Sequence, residues 1–430
     1  MRFEFIENEG KRITTEQMAS LTDLLYISDE IRKGLGLRMM PMQVSGNIVK
    51  FNGIAANIRF NDTELIVKPK ITDGEGKDVD ALMRTLYLRI LRTCKSNLNS
   101  VIYFTSMSTE TITDDTFVDC VAQYYLERLL FAVQKLPIVI YYQKEEKRSA
   151  IKGKILIQKE LQSPIRDGKT WCRYKMLSKD NQYNALLKWC CDYFSENVSS
   201  KSLCYKLKRA SAVLEGNVDE LTVSSVRSMR LPRNFDAYRE PFSIAREIFL
   251  YNNQTTKLKA DNKNICGYVI NMESAFENIV CYYAERYSLR NQLLHVAQAD
   301  IVLASADNSK KDMDFHIRPD DLLVKGNAKI VMDAKYKYIS GSDKPSRDDF
   351  YQMISSCIAH GTSEAILIYP STEVNDSYSE SWTLINPING KNFKAYAEKI
   401  DIYADDQEII GQISNVVNKS KFLEVICEKI

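Results

Sequence analysis

Asp320 and Asp333 flank a Gly326-Asn327 pair, and that spacing constrains the chain more than any other feature. Gly and Asn tolerate the positive φ that a two-residue hairpin turn requires. A turn at that pair folds Leu322-Leu323-Val324 onto Ile330-Val331-Met332 as two antiparallel strands. The two aspartates then become cross-strand partners. Asp333 and Lys335 are i, i+2, so both point to one face of their strand. Two carboxylates and an ammonium converge beside apolar strands, where an unpaired charge is costly. Such a set can hold Mg²⁺, which takes hard oxygen ligands and keeps several waters. Metal and ammonium together favour the hydroxide form of an attacking water, as a phosphodiesterase needs. Asp-x-Lys alone is common on surface strands, so the weight falls on the paired acids. The first acid is doubled, Asp320-Asp321. The spacing and the preceding Pro319 favour Asp320, while a one-residue slip selects Asp321.

At 430 residues the chain has room for two or three domains. No apolar run approaches a membrane span, and Met1-Arg2-Phe3-Glu4-Phe5 lacks a leader pattern. The 10 cysteines include no Cys-x-x-Cys, and 3 histidines give a zinc site little to work with. The expectation is a cytoplasmic protein with reduced, buried thiols.

Periodicity divides the chain into three regions. Residues 1–75 read as a β-rich N-terminal module, with short strands around Val49–Ile54, Ile58–Asp62 and Ile66–Lys70. Asp73–Lys77 is the best linker. Residues 76–260 read as a mainly helical middle region with basic strands. Helices are expected over about Val79–Cys94, Phe117–Leu136, Ser178–Val198 and Ala237–Asn252, with a strand at Ile138–Tyr142. Residues 261–430 hold the acidic hairpin, entered by a Ser274–Tyr287 helix and completed by an Arg347–Ala359 helix and an Ala365–Tyr369 strand. The class is α+β or α/β.

Net charge is only +2, which excludes a globally basic DNA-coating protein. Charge is local: Lys144 to Lys179 holds 11 Lys and Arg against 4 Asp and Glu. Lys201, Lys206, Lys208, Arg209, Arg227, Arg230 and Arg233 form a second basic stretch. Clustered cations of this kind suit phosphate contacts, and a solvated surface is the simpler reading of either one alone. Gly168-Lys169-Thr170 mimics the end of a phosphate-binding loop, but Ser163 stands where its first Gly belongs. The chain is therefore expected to bind no nucleotide itself. His295, His316 and His360 show no mutual spacing of a ligand set.

Pro319-Asp320, Asp333-Ala334-Lys335-Tyr336-Lys337, Asp349-Phe350-Tyr351-Gln352-Met353 and Leu367-Ile368-Tyr369-Pro370 resemble the McrC nuclease subunits of McrBC-type restriction systems, which belong to the PD-(D/E)xK superfamily. Gly153-Lys154, Asp167-Gly168-Lys169-Thr170, Asn184 and Phe276-Glu277 extend the resemblance over roughly residues 60–385. It implies a C-terminal restriction-endonuclease-like domain that cleaves double-stranded, usually modified DNA. It implies Mg²⁺, replaceable by Mn²⁺, held by Asp320, Asp333, the Ala334 backbone and Glu277. Lys335 would orient or activate water, and Gln352 would contact phosphate or cap its helix. Many such nucleases read Gln-x-x-x-Tyr in that helix; here Ser356 stands in the Tyr position. The implied partner is an McrB-like AAA+ GTPase or ATPase ring, with residues up to about 145 docking on it and stimulating hydrolysis. Two other readings stay open: a stand-alone PD-(D/E)xK repair or type II restriction nuclease, and a nuclease-fold activator of an AAA+ ring that does not cut.

Overall fold

The computed structural model describes residues 1–60, 63–70, 79–93, 101–104, 116–162, 167–254, 265–305, 314–339, 343–371, 378–385, 392–420 and 422. The expected linker at Asp73–Lys77 lies outside them. The fold mixes α and β elements in two compact units. One joins Met1–Ser106 to Ile265–Ile430, and the other is Met107–Asn264.

The expected boundary near 260 falls close to the observed one, but the boundary at 75 does not exist. Strand Ile54–Phe60 pairs antiparallel with Ile265–Asn271 over its whole length, from Ile54 opposite Asn271 to Phe60 opposite Ile265. Those two strands sit inside a five-stranded sheet ordered Arg2–Ile6, Thr63–Lys68, Ile54–Phe60, Ile265–Asn271, Val101–Phe104. The physical reason is burial. Phe3, Phe5, Ile58, Leu65 and Val67 alternate onto an apolar face, and a lone N-terminal module would leave the backbone edge of Ile54–Phe60 unpaired. The N-terminal region is rich in strands, as its turn signals suggest, but it also holds a helix that they did not mark. Thr15–Gly34 is a helix, opened by a capping box in which Thr14 accepts from the Gln17 N–H and the Gln17 side chain accepts from the Thr14 N–H.

The C-terminal part of this unit is a six-stranded mixed sheet. Its order is Leu294–Ala297, Asp321–Lys325, Ala328–Ala334, Glu364–Ser371, Asn392–Asp401, Ser379–Ile385. Strands Ala328–Ala334, Glu364–Ser371 and Asn392–Asp401 run parallel, and the first two are mostly apolar, as strands covered on both faces must be. Leu322, Val331, Met353, Cys357, Leu367 and Tyr369 form the core between sheet and helix Arg347–His360. That helix starts at a Ser346 cap and ends at Gly361 with φ 68°, within one residue of the expected span.

The Met107–Asn264 unit packs helices Thr116–Lys135, Gln182–Asn197, Lys201–Val213 and Arg239–Gln254. Tyr125, Leu129, Leu186, Leu187, Phe194 and Leu207 are buried among them. Asn184, singled out by sequence, is buried and donates to the Ile138 and Lys179 carbonyls at 3.0 and 2.7 Å. It ties the second long helix to the strand before it. A three-stranded antiparallel sheet orders Ile140–Arg148, Thr170–Ser178 and Lys154–Ile155. Gly153 enters it at φ +72°, where a Cβ would meet the Arg173 carbonyl oxygen at 2.4 Å.

Candidate active site

The acidic hairpin folds in the register its turn demands. Lys325 opposes Ala328, and the ladder runs to Asp321 opposite Met332, which leaves Asp320 one residue beyond it and beside Asp333-Ala334. Gly326 takes φ +58° at the turn. Asp320 and Asp333 are only 8% and 3% exposed. Asp320 is fixed from two sides: its Oδ2 accepts the Ala334 N–H at 2.8 Å, and its Oδ1 accepts from Gln298 Nε2 at 3.0 Å. Gln298 itself adopts φ 50°. No spacing rule marked it, because it comes from the loop after strand Leu294–Ala297.

Lys335 shares the Asp333 face, as the i, i+2 relation requires. Its ammonium pairs with Asp333 and donates to Gln352 Oε1 at 3.2 Å. Burial opposes its charge, but the Asp333 carboxylate more than offsets this and raises its pKa. Gln352 thus reaches the site from the first half of helix Arg347–His360. Glu277 comes from helix Met272–Arg290, which starts at an Asn271 cap. Burial, then Glu273, lifts its carboxyl to about 7, with Asp333 adding to the rise and Lys335 opposing it.

Asp320 is lifted further, to about 9, by burial first, then by Asp333 and Glu277. Asp333 Oδ1 has no hydrogen-bond partner among the described residues. Three carboxyl groups therefore crowd one ammonium, and their mutual repulsion with burial disfavours charging them all in the absence of a cation. Hard oxygen donors in that cluster fit a divalent cation of the Mg²⁺ type.

Strand alternation sends the two halves of the doubled acid to opposite faces. Asp321 points to the opposite face, fully buried, with its Oδ1 2.6 Å from His295 Nε2. His316 lies 3.2 Å from Asp300, and His360 ends its helix, so the histidines form no common set.

Two supports of the site were invisible to local sequence reading. The Tyr336 hydroxyl donates to Glu7 Oε2 at 2.8 Å, and Lys70 donates to the Tyr336 carbonyl at 2.9 Å. Burial raises the Glu7 carboxyl, with Lys70 opposing. The N-terminal sheet thereby grips the residue next to Lys335. Lys337 grips the other flank, donating to both Asp349 oxygens at 2.7 and 2.9 Å. Past Lys337 opens a cleft of about 560 Å³ lined by Lys337, Tyr338, Lys344, Ser346, Asp349 and Tyr369 among others.

The Lys144–Lys179 basic stretch is less free than its composition suggests. Lys144 and Arg148 pair with Glu146, and Lys159 and Arg173 with Glu145, at 2.5–3.1 Å. The Lys144 hydrogen bond, then Tyr174, holds Glu146 down to about 2. Tyr141, Ile157, Leu161 and Leu177 on the same sheet and its Ile157–Leu161 helix are 65, 67, 82 and 50% exposed. No helix among the described residues is long and apolar enough to cross a membrane.

Residues 49–370 match the family model of the McrBC 5-methylcytosine restriction system component. The chain belongs to that family, in agreement with the McrC resemblance carried by the motifs of this hairpin. Its fold is similar to that of a chain in the refined half-complex from a tetradecameric assembly of Thermococcus gammatolerans McrB AAA+ hexamers with bound McrC. That chain is 14% identical, with a TM-score of 0.62, covering 97% of this chain and all of the other. A cryo-EM structure of the Thermococcus gammatolerans McrBC complex is similar at 12% identity and TM-score 0.47, covering 67% of this chain and 88% of that one. No curated protein sequence matches the chain.

Proposed function

We propose that this chain is the DNA-cutting, McrC-type subunit of its restriction system. Its hydrolytic centre is a PD-(D/E)xK site. The observation that carries the proposal is the meeting of Asp320, which accepts the Ala334 N–H at 2.8 Å, with the Asp333–Lys335 ion pair on the neighbouring strand. Asp320, Asp333, Glu277 and the Ala334 backbone hold Mg²⁺, with Mn²⁺ as a substitute. When bound, the ion supplies charge neutralisation at the scissile phosphate and an acidified water.

The chain's own residues do the rest. Gln298 and the Ala334 N–H keep the Asp320 carboxylate aimed at Asp333. Lys335 remains an ammonium because Asp333 stabilises its charge, so it orients an attacking water or a phosphate oxygen by donating hydrogen bonds. Gln352 holds Lys335 in place and is itself exposed enough to reach phosphate. Glu277, lifted to about 7 without a cation, gives up its proton when the ion binds and then serves as an oxygen ligand. These groups are preorganised: Tyr336 and Lys337 fix the backbone on the far side of Lys335.

Double-stranded, modified DNA is the substrate, and an McrB-like AAA+ ring is the partner; the chain itself needs no nucleotide. The Met107–Asn264 unit, rather than residues 1–145, is the docking module. Residues 1–106 belong to the unit that carries the acidic hairpin, so a 1–145 fragment cuts across two folding units. The exposed apolar residues of the small sheet, with its charges internally paired, suit a protein surface. Cleavage of methylated and unmethylated duplexes by the chain, alone and with its AAA+ partner, tests the reading. Cutting only with both partner and methylated DNA is expected. Full cutting by the chain alone would favour a stand-alone nuclease.

A further inference from the structure

Directly behind the acidic hairpin, on the face opposite Asp320, three groups from distant sequence converge. Cys281 lies on helix Met272–Arg290, His295 on strand Leu294–Ala297, and Asp321 at the head of strand Asp321–Lys325. Their Sγ, ring nitrogen and carboxylate oxygen lie within 4.8 Å of one another. Asp321 is 0% exposed, and its second oxygen, Oδ2, has no partner among the described residues. A buried carboxylate with half its acceptor capacity unused is costly unless something cationic answers it. His295 meets only Oδ1.

We propose that Cys281, His295 and Asp321 form a second metal site, selective for Zn²⁺, that clips the helix bearing Glu277 to the strand headed by Asp320. The donor chemistry sets the selectivity. A thiolate, an imidazole and a carboxylate are ordinary zinc ligands, whereas Mg²⁺ takes hard oxygens and refuses a thiolate. The charge balances as well: binding expels the Cys281 thiol proton, and thiolate plus carboxylate neutralise the dication. A water fills the fourth position. The ligand spread is closed by rotamer shifts of Cys281 and His295, with the His295–Asp321 hydrogen bond exchanged for shared coordination. The clip has a mechanical consequence. Cys281 and Glu277 are i, i+4 on one helix, so they rise on one side of it. Asp320 and Asp321 are adjacent on one chain segment with opposed side chains. Fixing Cys281 to Asp321 therefore fixes the spacing of Glu277 and Asp320.

The test uses Co²⁺ as a spectroscopic stand-in for zinc, added to the metal-stripped full chain in excess Mg²⁺. A thiolate-to-cobalt charge-transfer band in the near ultraviolet, with tetrahedral visible bands, should appear and saturate at a single equivalent. Zn²⁺ should bleach both. The bands should vanish in Cys281→Ser and survive in Asp333→Asn, which separates this site from the nuclease centre. Absence of a thiolate band in the unmodified chain, its persistence in Cys281→Ser, or its loss in Asp333→Asn each overturns the proposal.

Discussion

Tyr336 donates its hydroxyl hydrogen bond to Glu7, 329 positions away in the chain, at 2.8 Å. Both groups are buried, and Tyr336 follows Lys335 directly. The turn after strand Arg2–Ile6 therefore braces the residue next to Lys335. Tyr336→Phe removes one of two donors to Glu7 Oε2, leaving the Lys70 N–H, and should cost about 0.5–1.5 kcal/mol of stability. If Lys335 depends on this anchor, cleavage by the folded variant should also fall while DNA binding holds. Chemical denaturation and single-turnover cutting check the two effects, and an unchanged midpoint would separate Glu7 from the site.

The carboxyl cluster predicts a pH signature. Asp320 is lifted to about 9 in the folded chain from an unfolded value of 3.8, so folding favours its protonated form. The stability from that preference is full below the unfolded value and is lost as pH rises through the folded one. Metal-free protein should therefore lose stability between about pH 4 and about pH 9, and Mg²⁺ should restore most at the alkaline end. Thermal melts in EDTA and in Mg²⁺ across that range measure it. The gap between the two Tm curves should widen with pH; a constant gap would contradict a shared carboxyl site. Asp320→Asn should raise Tm in EDTA at alkaline pH and abolish the Mg²⁺ response.

The sequence made the hairpin legible because everything that fixes it is local. The Gly326-Asn327 turn sets the register, and the two-residue period sets which side chains share a face. Helix Arg347–His360 and strand Glu364–Ser371 were equally readable from cap and apolar run. What stayed hidden was non-local. Gln298, Glu7, Lys70 and the Cys281–His295–Asp321 group reach their places through tertiary pairing that no spacing encodes. The supposed N-terminal module failed for the same reason: the partner of Ile54–Phe60 is strand Ile265–Asn271, over 200 residues later. The basic stretch misled in another way. Composition counts Glu145 and Glu146 as two minority charges, yet strand pairing sets them among four of the cations.

Gly153 gives a purely steric prediction. Its φ of +72° and the Arg173 carbonyl 2.4 Å from a built Cβ leave no room for a side chain. Gly153→Ala should destabilise the small sheet by about 1–3 kcal/mol through strain and displacement. Limited proteolysis at Ile140–Ser178 should accelerate. A variant as resistant as the parent would show that the strand shifts at no cost.

The remaining cations of that sheet discriminate DNA from protein contact. Reversing Lys152, Lys154 and Lys169 together should lower affinity for all duplexes alike and flatten its salt dependence if they track phosphates, with a slope change of roughly 0.9 per lost contact. Salt titrations of duplex binding read this out. An unchanged slope with weaker AAA+ association would place the patch at the protein interface.

Asp333→Ala and Lys335→Ala should each lower cleavage by the complex at least a hundredfold, about 2.7 kcal/mol of barrier. Assembly with the AAA+ partner and its stimulated nucleotide hydrolysis should remain at parental levels. The decisive measurement is cleavage of methylated duplex by the Asp333→Ala complex, alongside its NTPase rate. Loss of cutting with full NTPase stimulation is the predicted result; full cutting by that variant would contradict the assignment of this hairpin as the nuclease centre.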